Sequence, residues 1–351
     1  MPQVRLDDLG EHAVVRRVVD ALRSTSTADV LIGPGDDAAL LAAPDARVVV
    51  TTDVLVDGRH WRDDWSRPEH VGEKAVLQSC ADVTASGART TGLVVGLVAP
   101  GGTEVDWVDG LARGMARAAA SAGASVVGGD VTAGEQRVVA VTALGDLGGR
   151  PPLRRDAARP GQVVLLVGRT GLSAAGLAVL QAGLDERDHP EVVDVHRVPR
   201  PPLAAGPVLA GLATAGVDTS DGLASDVGHV ARASGVVVEV DVADVPVARE
   251  VLAAARALSP DDDGARRLAL RWVLTGGEDH ALVVTCDDDV ADRAVGLLAE
   301  ARLPQVARVG RVVVREPDRD AGVRFVGLDD LDAVGTPGHE HWRVGGQERA
   351  D

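Results

Sequence analysis

The chain has 351 residues, 45% of them apolar, with a formal net charge of −17. That length suits about two domains with a sizeable core, which must be aliphatic because aromatic residues make up only 2%. The acidity excludes a long nucleic-acid backbone as partner, no apolar run reaches the ~18 residues of a membrane span, no signal peptide is visible over residues 1–20, and Cys80 and Cys286 fit neither a disulfide framework nor a zinc site; a soluble cytoplasmic protein is expected.

In chain order, apolar residues recur at helical spacing over 11–24 (Val14, Val15, Val18, Val19, Leu22). Residues 48–50 read as a buried strand that ends at Thr51-Thr52-Asp53. A helix is expected over 68–85, where Pro68 suits the first turn and Glu69 and Glu73 suit its dipole. A strand over 93–98, an Ala-rich helix over 107–122 stopping near Gly123, and a strand over 138–144 follow. Residues 145–161 are rich in Gly, Pro and Arg and read as a domain junction. Beyond it, strands at 163–167, 236–242 and 282–286 alternate with helices near 173–183, 221–234, 248–257 and 290–302. Such alternation predicts two α/β or α+β domains, followed by a polar tail after about Gly335.

Short acidic clusters punctuate this pattern: Gly35-Asp36-Asp37, Thr51-Thr52-Asp53, Cys80-Ala81-Asp82, Gly128-Gly129-Asp130 and Asp218-Thr219-Ser220-Asp221. Asp at the end of an apolar strand packs poorly, but it suits a hard divalent cation, which takes carboxylate and phosphate oxygens. Only one lysine, Lys74, is present, so neither a Walker loop nor a kinase-type strand lysine is available. No G-x-G-x-x-G follows a strand, and no G-x-S-x-G occurs. Metals, arginines and Gly-rich backbone are left as the means of handling phosphate.

The ordered set Gly33-Pro34-Gly35-Asp36-Asp37-Ala38-Ala39, the run from Thr52 to Trp61 with His60 beside the aromatic, the helix carrying Asp82, Gly128-Gly129-Asp130, Asp218-Thr219-Ser220-Asp221-Gly222-Leu223 and Gly276-Gly277-Glu278-Asp279 resembles the thiamine-monophosphate kinase family. The resemblance implies the two-domain α/β (α+β) fold of the aminoimidazole ribonucleotide synthetase-like superfamily, with domains over 1–149 and 150–335 and a tail over 336–351. It also implies a homodimer whose N-terminal sheets pair in a shared barrel. The implied reaction is transfer of the γ-phosphoryl group of ATP to thiamine phosphate, with several Mg²⁺ ions. Position by position it implies Asp37, Thr51, Thr52, Asp53, Asp82, Asp130, Asp218 and Asp221 as metal ligands. Gly129, Asp130, Arg155 and Ser220 fall at ATP contacts, and His60, Glu278 and His339 at substrate contacts. No residue is singled out as a covalent or acid–base catalyst. The alternatives are another ATP-dependent member of the superfamily with a different small acceptor, or a non-catalytic nucleotide- or metal-binding protein.

Individual residues keep plainer readings beside these. Asp221 is either a ligand or the N-cap of the helix it precedes, and Thr51 and Thr52 are either oxygen donors or ordinary β-branched strand residues. Arg154 takes the place of Arg155 if the register slips by one. Asp226 and His229, a helical turn apart, read as a structural pair. The family has Tyr where His280 stands, and an aromatic where the tail has His339 in Gly338-His339-Glu340-His341-Trp342. These departures bear on the acceptor more than on metal or ATP.

Overall fold

The computed structural model describes residues 4–22, 25–34, 38–303, 305–318 and 320–328. The first unit comprises α1 (Leu6–Leu9), α2 (Glu11–Leu22), β1 (Val30–Ile32), β2 (Leu40–Leu41), β3 (Val49–Val56), α3 (Pro68–Ala85), β4 (Arg89–Ala99), α4 (Val105–Ala122), β5 (Ser125–Ala133) and β6 (Val138–Asp146). Four strands form a sheet in the order β3-β6-β4-β5. The β4–β5 pair is parallel, and α4 supplies the crossover it needs. Gly123 ends α4 in the left-handed conformation, as its position after the Ala-rich run predicts.

The second unit comprises β7 (Val163–Val167), α5 (Leu172–Gln181), α6 (Pro190–Arg197), α7 (Ala205–Leu209), β8 (Ala213–Asp218), α8 (Leu223–Ser234), β9 (Val237–Asp241), α9 (Arg249–Leu258), α10 (Asp262–Thr275), β10 (Leu282–Cys286), α11 (Asp288–Glu300), β11 (Val306–Val313) and β12 (Gly322–Val326). Its six-stranded sheet runs β12-β9-β11-β7-β10-β8. One face packs α5, α8, α9 and α10 through Leu172, Leu223, Ala254 and Trp272. The other packs α7 and α11 through Leu209, Ala294 and Leu298. Among the described residues, no helix is long and apolar enough to cross a membrane.

Three local expectations change. The strand expected to end at Thr51-Thr52-Asp53 continues to Val56, paired with β6 from Val49 opposite Gly145 to Val56 opposite Val138. Val54 and Val56 sustain the β-branched alternation, so Asp53 lies inside the strand. Asp130 likewise lies inside β5 rather than after it. Asp221 does not cap α8, because Gly222 holds the N-cap position.

Helix α3 is buried nearly all round, the pattern of a helix inside a protein. A Cβ at Gly114 of α4 would lie 2.0 Å from the Glu69 carbonyl oxygen, and one at Gly72 would lie 2.2 Å from that of Leu111. The two helix backbones therefore touch. At its other end α3 meets the second unit equally closely: a Cβ at Gly206 would lie 2.1 Å from the Thr84 carbonyl oxygen. Gly114→Ala should destabilise the protein by about 1–3 kcal/mol, although alanine gains up to ~1 kcal/mol in an open helix. A urea midpoint that stays put or rises would contradict this packing account.

Candidate active site

Helix α3 brings a polar stripe into an otherwise apolar core. Lys74, Gln78 and Asp82 are spaced four residues apart and share one face, with Ser79 beside them. Asp53 projects from β3 toward that face. Its Oδ2 accepts the Ser79 hydroxyl at 2.8 Å, with the Gln78 side chain close by. Thr51, two residues earlier on the same side of the strand, donates its hydroxyl to Asp82 Oδ2 at 2.6 Å. Asp218, the last residue of β8, closes the group from the second unit and is 2% exposed.

The group carries excess negative charge. Burial raises the Asp53 carboxyl, and Asp218 adds to that. Burial, then the charges of Asp218 and Asp53, push Asp82 up to about 7. The nearby cation is His280, whose Nδ1 lies 2.9 Å from Asp218 Oδ2. Burial alone would lower this imidazole, but the Asp218 hydrogen bond and charge outweigh it and raise its pKa. An oxygen-only set of mutually repelling carboxylates fits a hard divalent cation.

Two turns build the floor. Gly277 packs on Ser220, whose carbonyl a Cβ there would approach to 2.6 Å. The Glu278 N–H donates to that carbonyl at 2.8 Å, and the His280 N–H donates to the Thr219 carbonyl at 3.1 Å. This path holds Glu278 and His280 at φ 63° and 52°, left-handed for side-chain-bearing residues and costing about 1–3 kcal/mol each. Asp279 points away from the cleft. It accepts the N–H groups of Gly171 and Ser173 at the start of α5 and is a structural cap.

Asp221 stands one loop step beyond. Its N–H donates to Asp226 Oδ2 at 3.0 Å, and the ligand atoms of Asp221, Asp226 and His229 lie within 4.8 Å of one another. Burial, then Asp218 and Asp221, raise the Asp226 carboxyl to about 8. Arg155 lines the cleft with Thr51, Asp82, Ser86, Leu153 and Asp218. Arg154 is instead engaged by Asp156 at 2.5 Å in the open, so of the two arginines Arg155 is the one that belongs to the cleft.

Of the residues expected at the site, Thr51, Asp53, Asp82 and Asp218 converge, with Ser220, Asp221 and Arg155 at the margin. Thr52 faces the opposite side of the sheet, where its hydroxyl accepts from Thr142 at 3.1 Å. Gly129 and Asp130 lie on β5, the far edge from β3, so within one chain Asp130 does not join Asp53. Three strand spacings separate those edges, about 14 Å. The β4 backbone explains Gly129, since a Cβ would sit 2.0 Å from the Val95 carbonyl oxygen. Asp37 and His339 lie outside the described residues.

His60 and Glu278 meet through a residue that the motif reading passed over. The Lys74 ammonium donates to Glu278 Oε2 at 2.9 Å and to the His60 carbonyl at 3.2 Å. The His60 ring is fixed by the Val56 N–H donating to Nδ1 at 2.9 Å, which puts the proton of the neutral ring on Nε2. Trp61 turns inward and stacks on Trp107 with centroids 6.3 Å apart, so the aromatic beside His60 is a core anchor. Lys74, Gln78 and Ser79 were legible as polar residues at helical spacing in an apolar helix; no motif marks them.

Two family models match the chain: AIR synthase related protein, N-terminal domain, over residues 35–147, and the corresponding C-terminal domain over 159–319. The chain is 47% identical over 280 residues to the thiamine-monophosphate kinase of Mycobacterium tuberculosis, covering 79% of this chain and 81% of the relative. The crystal structure of thiamine-monophosphate kinase from Stenotrophomonas maltophilia K279a is similar with a TM-score of 0.76 at 32% identity, covering 89% of this chain and 96% of that one. AaThiL complexed with AMPPCP and TMP is similar with a TM-score of 0.74 at 26% identity, covering 97% and 100%.

Proposed function

This chain belongs to the thiamine-monophosphate kinase family, and we propose that it transfers the γ-phosphoryl group of ATP to thiamine monophosphate in the cytoplasm, giving thiamine diphosphate and ADP. The observation that carries the reading is the convergence of Asp53, Asp82 and Asp218, drawn from two domains, on one cleft that also holds Arg155. Phosphoryl transfer needs alignment and charge neutralisation more than covalent chemistry. The acceptor phosphate ionises near pH 6 and needs no strong general base. Lys74 is committed to Glu278 and to two carbonyl oxygens, so no lysine serves the triphosphate.

Asp53, Asp82 and Asp218 are suited to hold Mg²⁺, with Asp221 as a further ligand; Asp37 keeps the role the family pattern gives it. Bound Mg²⁺ would neutralise and orient the phosphates of the two substrates. Ser79 and Thr51 fix the Asp53 and Asp82 carboxylates by donating to one oxygen of each, which keeps their direction when charged. Arg155, which lines the same cleft, would reach the phosphates, and Ser220 would contact the nucleotide from the turn under Glu278. His60 and Glu278 orient the acceptor. His280 is buried on Asp218, so its replacement of Tyr belongs to the carboxylate group and argues against a changed acceptor.

The functional unit on this reading is a homodimer. The face of the four-stranded sheet turned away from α3 exposes Val50, Val54 and Val94, at 64%, 47% and 38%. A second copy covering it would close the two sheets into a barrel and remove both β3 and β5 as open edges. With β3 of one protomer beside β5 of its partner, Asp130 of one chain would lie next to the strand that carries Thr52 and Asp53 of the other, on the Val54 side of the sheet by its register. That juxtaposition accounts for a predicted ligand on the wrong edge of its own sheet. Incubation with ATP, Mg²⁺ and thiamine monophosphate should yield thiamine diphosphate and ADP in equal amounts. ADP formed without thiamine diphosphate would overturn the reading.

A further inference from the structure

Lys74 is the only lysine in the chain and is 2% exposed. Its Nζ donates to Glu278 Oε2 at 2.9 Å, to the His60 carbonyl at 3.2 Å and to the His196 carbonyl at 3.4 Å. An ammonium has three N–H donors, and these acceptors use all of them. They come from the segment after β3, the end of α6 and the turn before β10. A buried lysine costs stability unless paired, so this position is not a packing choice. Its partner Glu278 sits on left-handed backbone at φ 63°. A buried cation and a constrained carboxylate at one contact point to a requirement for direction.

The two oxygens of Glu278 are unequal. Oε2 faces Lys74, with His196 Nδ1 at 3.7 Å and Ser173 Oγ 3.1 Å from that nitrogen. Burial, then Lys74, lower His196 to about 4, so it flanks the pair as a neutral ring. Burial would raise the Glu278 carboxyl, but the charge and hydrogen bond of Lys74 outweigh it and hold it at about 2. Oε1 carries no hydrogen bond among the described residues, and the side chain is 34% exposed.

We propose that Lys74 is a positioning residue that neutralises Glu278 and presents Oε1 as a directed acceptor for the exocyclic amine of an aminopyrimidine, not as the counter-ion of a thiazolium ring. This rests on the thiamine-phosphate reading above. A carboxylate already paired with an ammonium has little net attraction for a second cation, which the ammonium would repel. A neutral N–H donor meets no such repulsion and gains a charge-assisted hydrogen bond.

The wild-type protein with ATP and Mg²⁺ tests this on three acceptors: thiamine phosphate, the analogue whose amine is replaced by oxygen, and the analogue whose thiazolium nitrogen is replaced by carbon. The oxygen analogue should lose about 100-fold or more in kcat/KM, and the uncharged-ring analogue should stay within about fivefold. The reverse order, or equal losses, overturns the proposal. If thiamine phosphate itself is not turned over, the underlying reading fails instead. Lys74→Met should raise KM for thiamine phosphate about tenfold or more, leave KM for ATP within about twofold, and be partly rescued in Lys74→Arg. A Lys74→Met protein with both KM values unchanged and only a lower melting temperature would make Lys74 merely structural.

Discussion

Asp82→Asn is expected to cut turnover by about 10³-fold or more while raising the melting temperature of the metal-free protein at pH 8 by several degrees. Asn keeps the shape and can still accept the Thr51 hydroxyl, so the change removes little but charge. The Asp82 carboxyl is raised from its ordinary 3.8 to about 7 by burial and by Asp218 and Asp53. Between those values the folded protein binds a proton that the unfolded chain does not. Stability from this group is therefore full below about pH 4 and is lost as pH rises through about 7. Asp226, at about 8, and Asp279, at about 7, have the same sign. The metal-free wild type should weaken steadily from pH 5 to pH 8, and Asp82→Asn should weaken less. Mg²⁺ should raise the wild-type melting temperature more at pH 8 than at pH 5, and that of Asp82→Asn less at either. A metal-free Asp82→Asn protein that melts lower at pH 8 would mean that the carboxylate is already compensated.

Mixing two inactive variants should restore activity. Asp53→Ala and Asp130→Ala are each expected to fall by about 10³-fold, because on the proposed reading each removes a ligand from every site of a homodimer. If the site joins Asp53 of one chain to Asp130 of the other, a mixed dimer carries one site with both residues intact. Random reassociation makes half the dimers mixed, so the mixture should recover roughly a quarter of wild-type activity. Recovery that depends on subunit exchange supports the shared site. No recovery under conditions where exchange is verified would place both residues in one chain's site, or deny Asp130 a role. Val54→Asp, on the exposed sheet face, should dissociate the dimer and lower activity with it.

How much of this was legible beforehand depends on range. The helix over Pro68–Ala85 and the strands Val163–Val167 and Leu282–Cys286 appear with the expected bounds, because Pro68 and the Val-rich runs act locally. The end of β3 lies beyond the expected one, since Thr51, Thr52 and Asp53 look like punctuation and only pairing with β6 keeps them extended. Asp53, Asp82 and Asp218 were identified one by one, but their meeting depends on α3 lying between two sheets. Thr52 faces away by simple alternation once residues 51–53 are extended, whereas the far-edge position of Asp130 follows from strand order, which residue patterns do not encode. Lys74 stands out in sequence as the single lysine, but its pairing does not, because its partners, Glu278 and the His60 and His196 carbonyls, lie far off in sequence.

The central claim is that the carboxylate group directs metal-assisted phosphoryl transfer to thiamine monophosphate. Phosphorus NMR of the wild-type protein with ATP, Mg²⁺ and thiamine monophosphate, run beside Asp82→Asn and beside a chelator control, tests it most directly. The account predicts ADP and thiamine diphosphate rising together in the first sample alone. Thiamine diphosphate formed equally well by Asp82→Asn, or ATP consumed with free phosphate as the only other product, would contradict it.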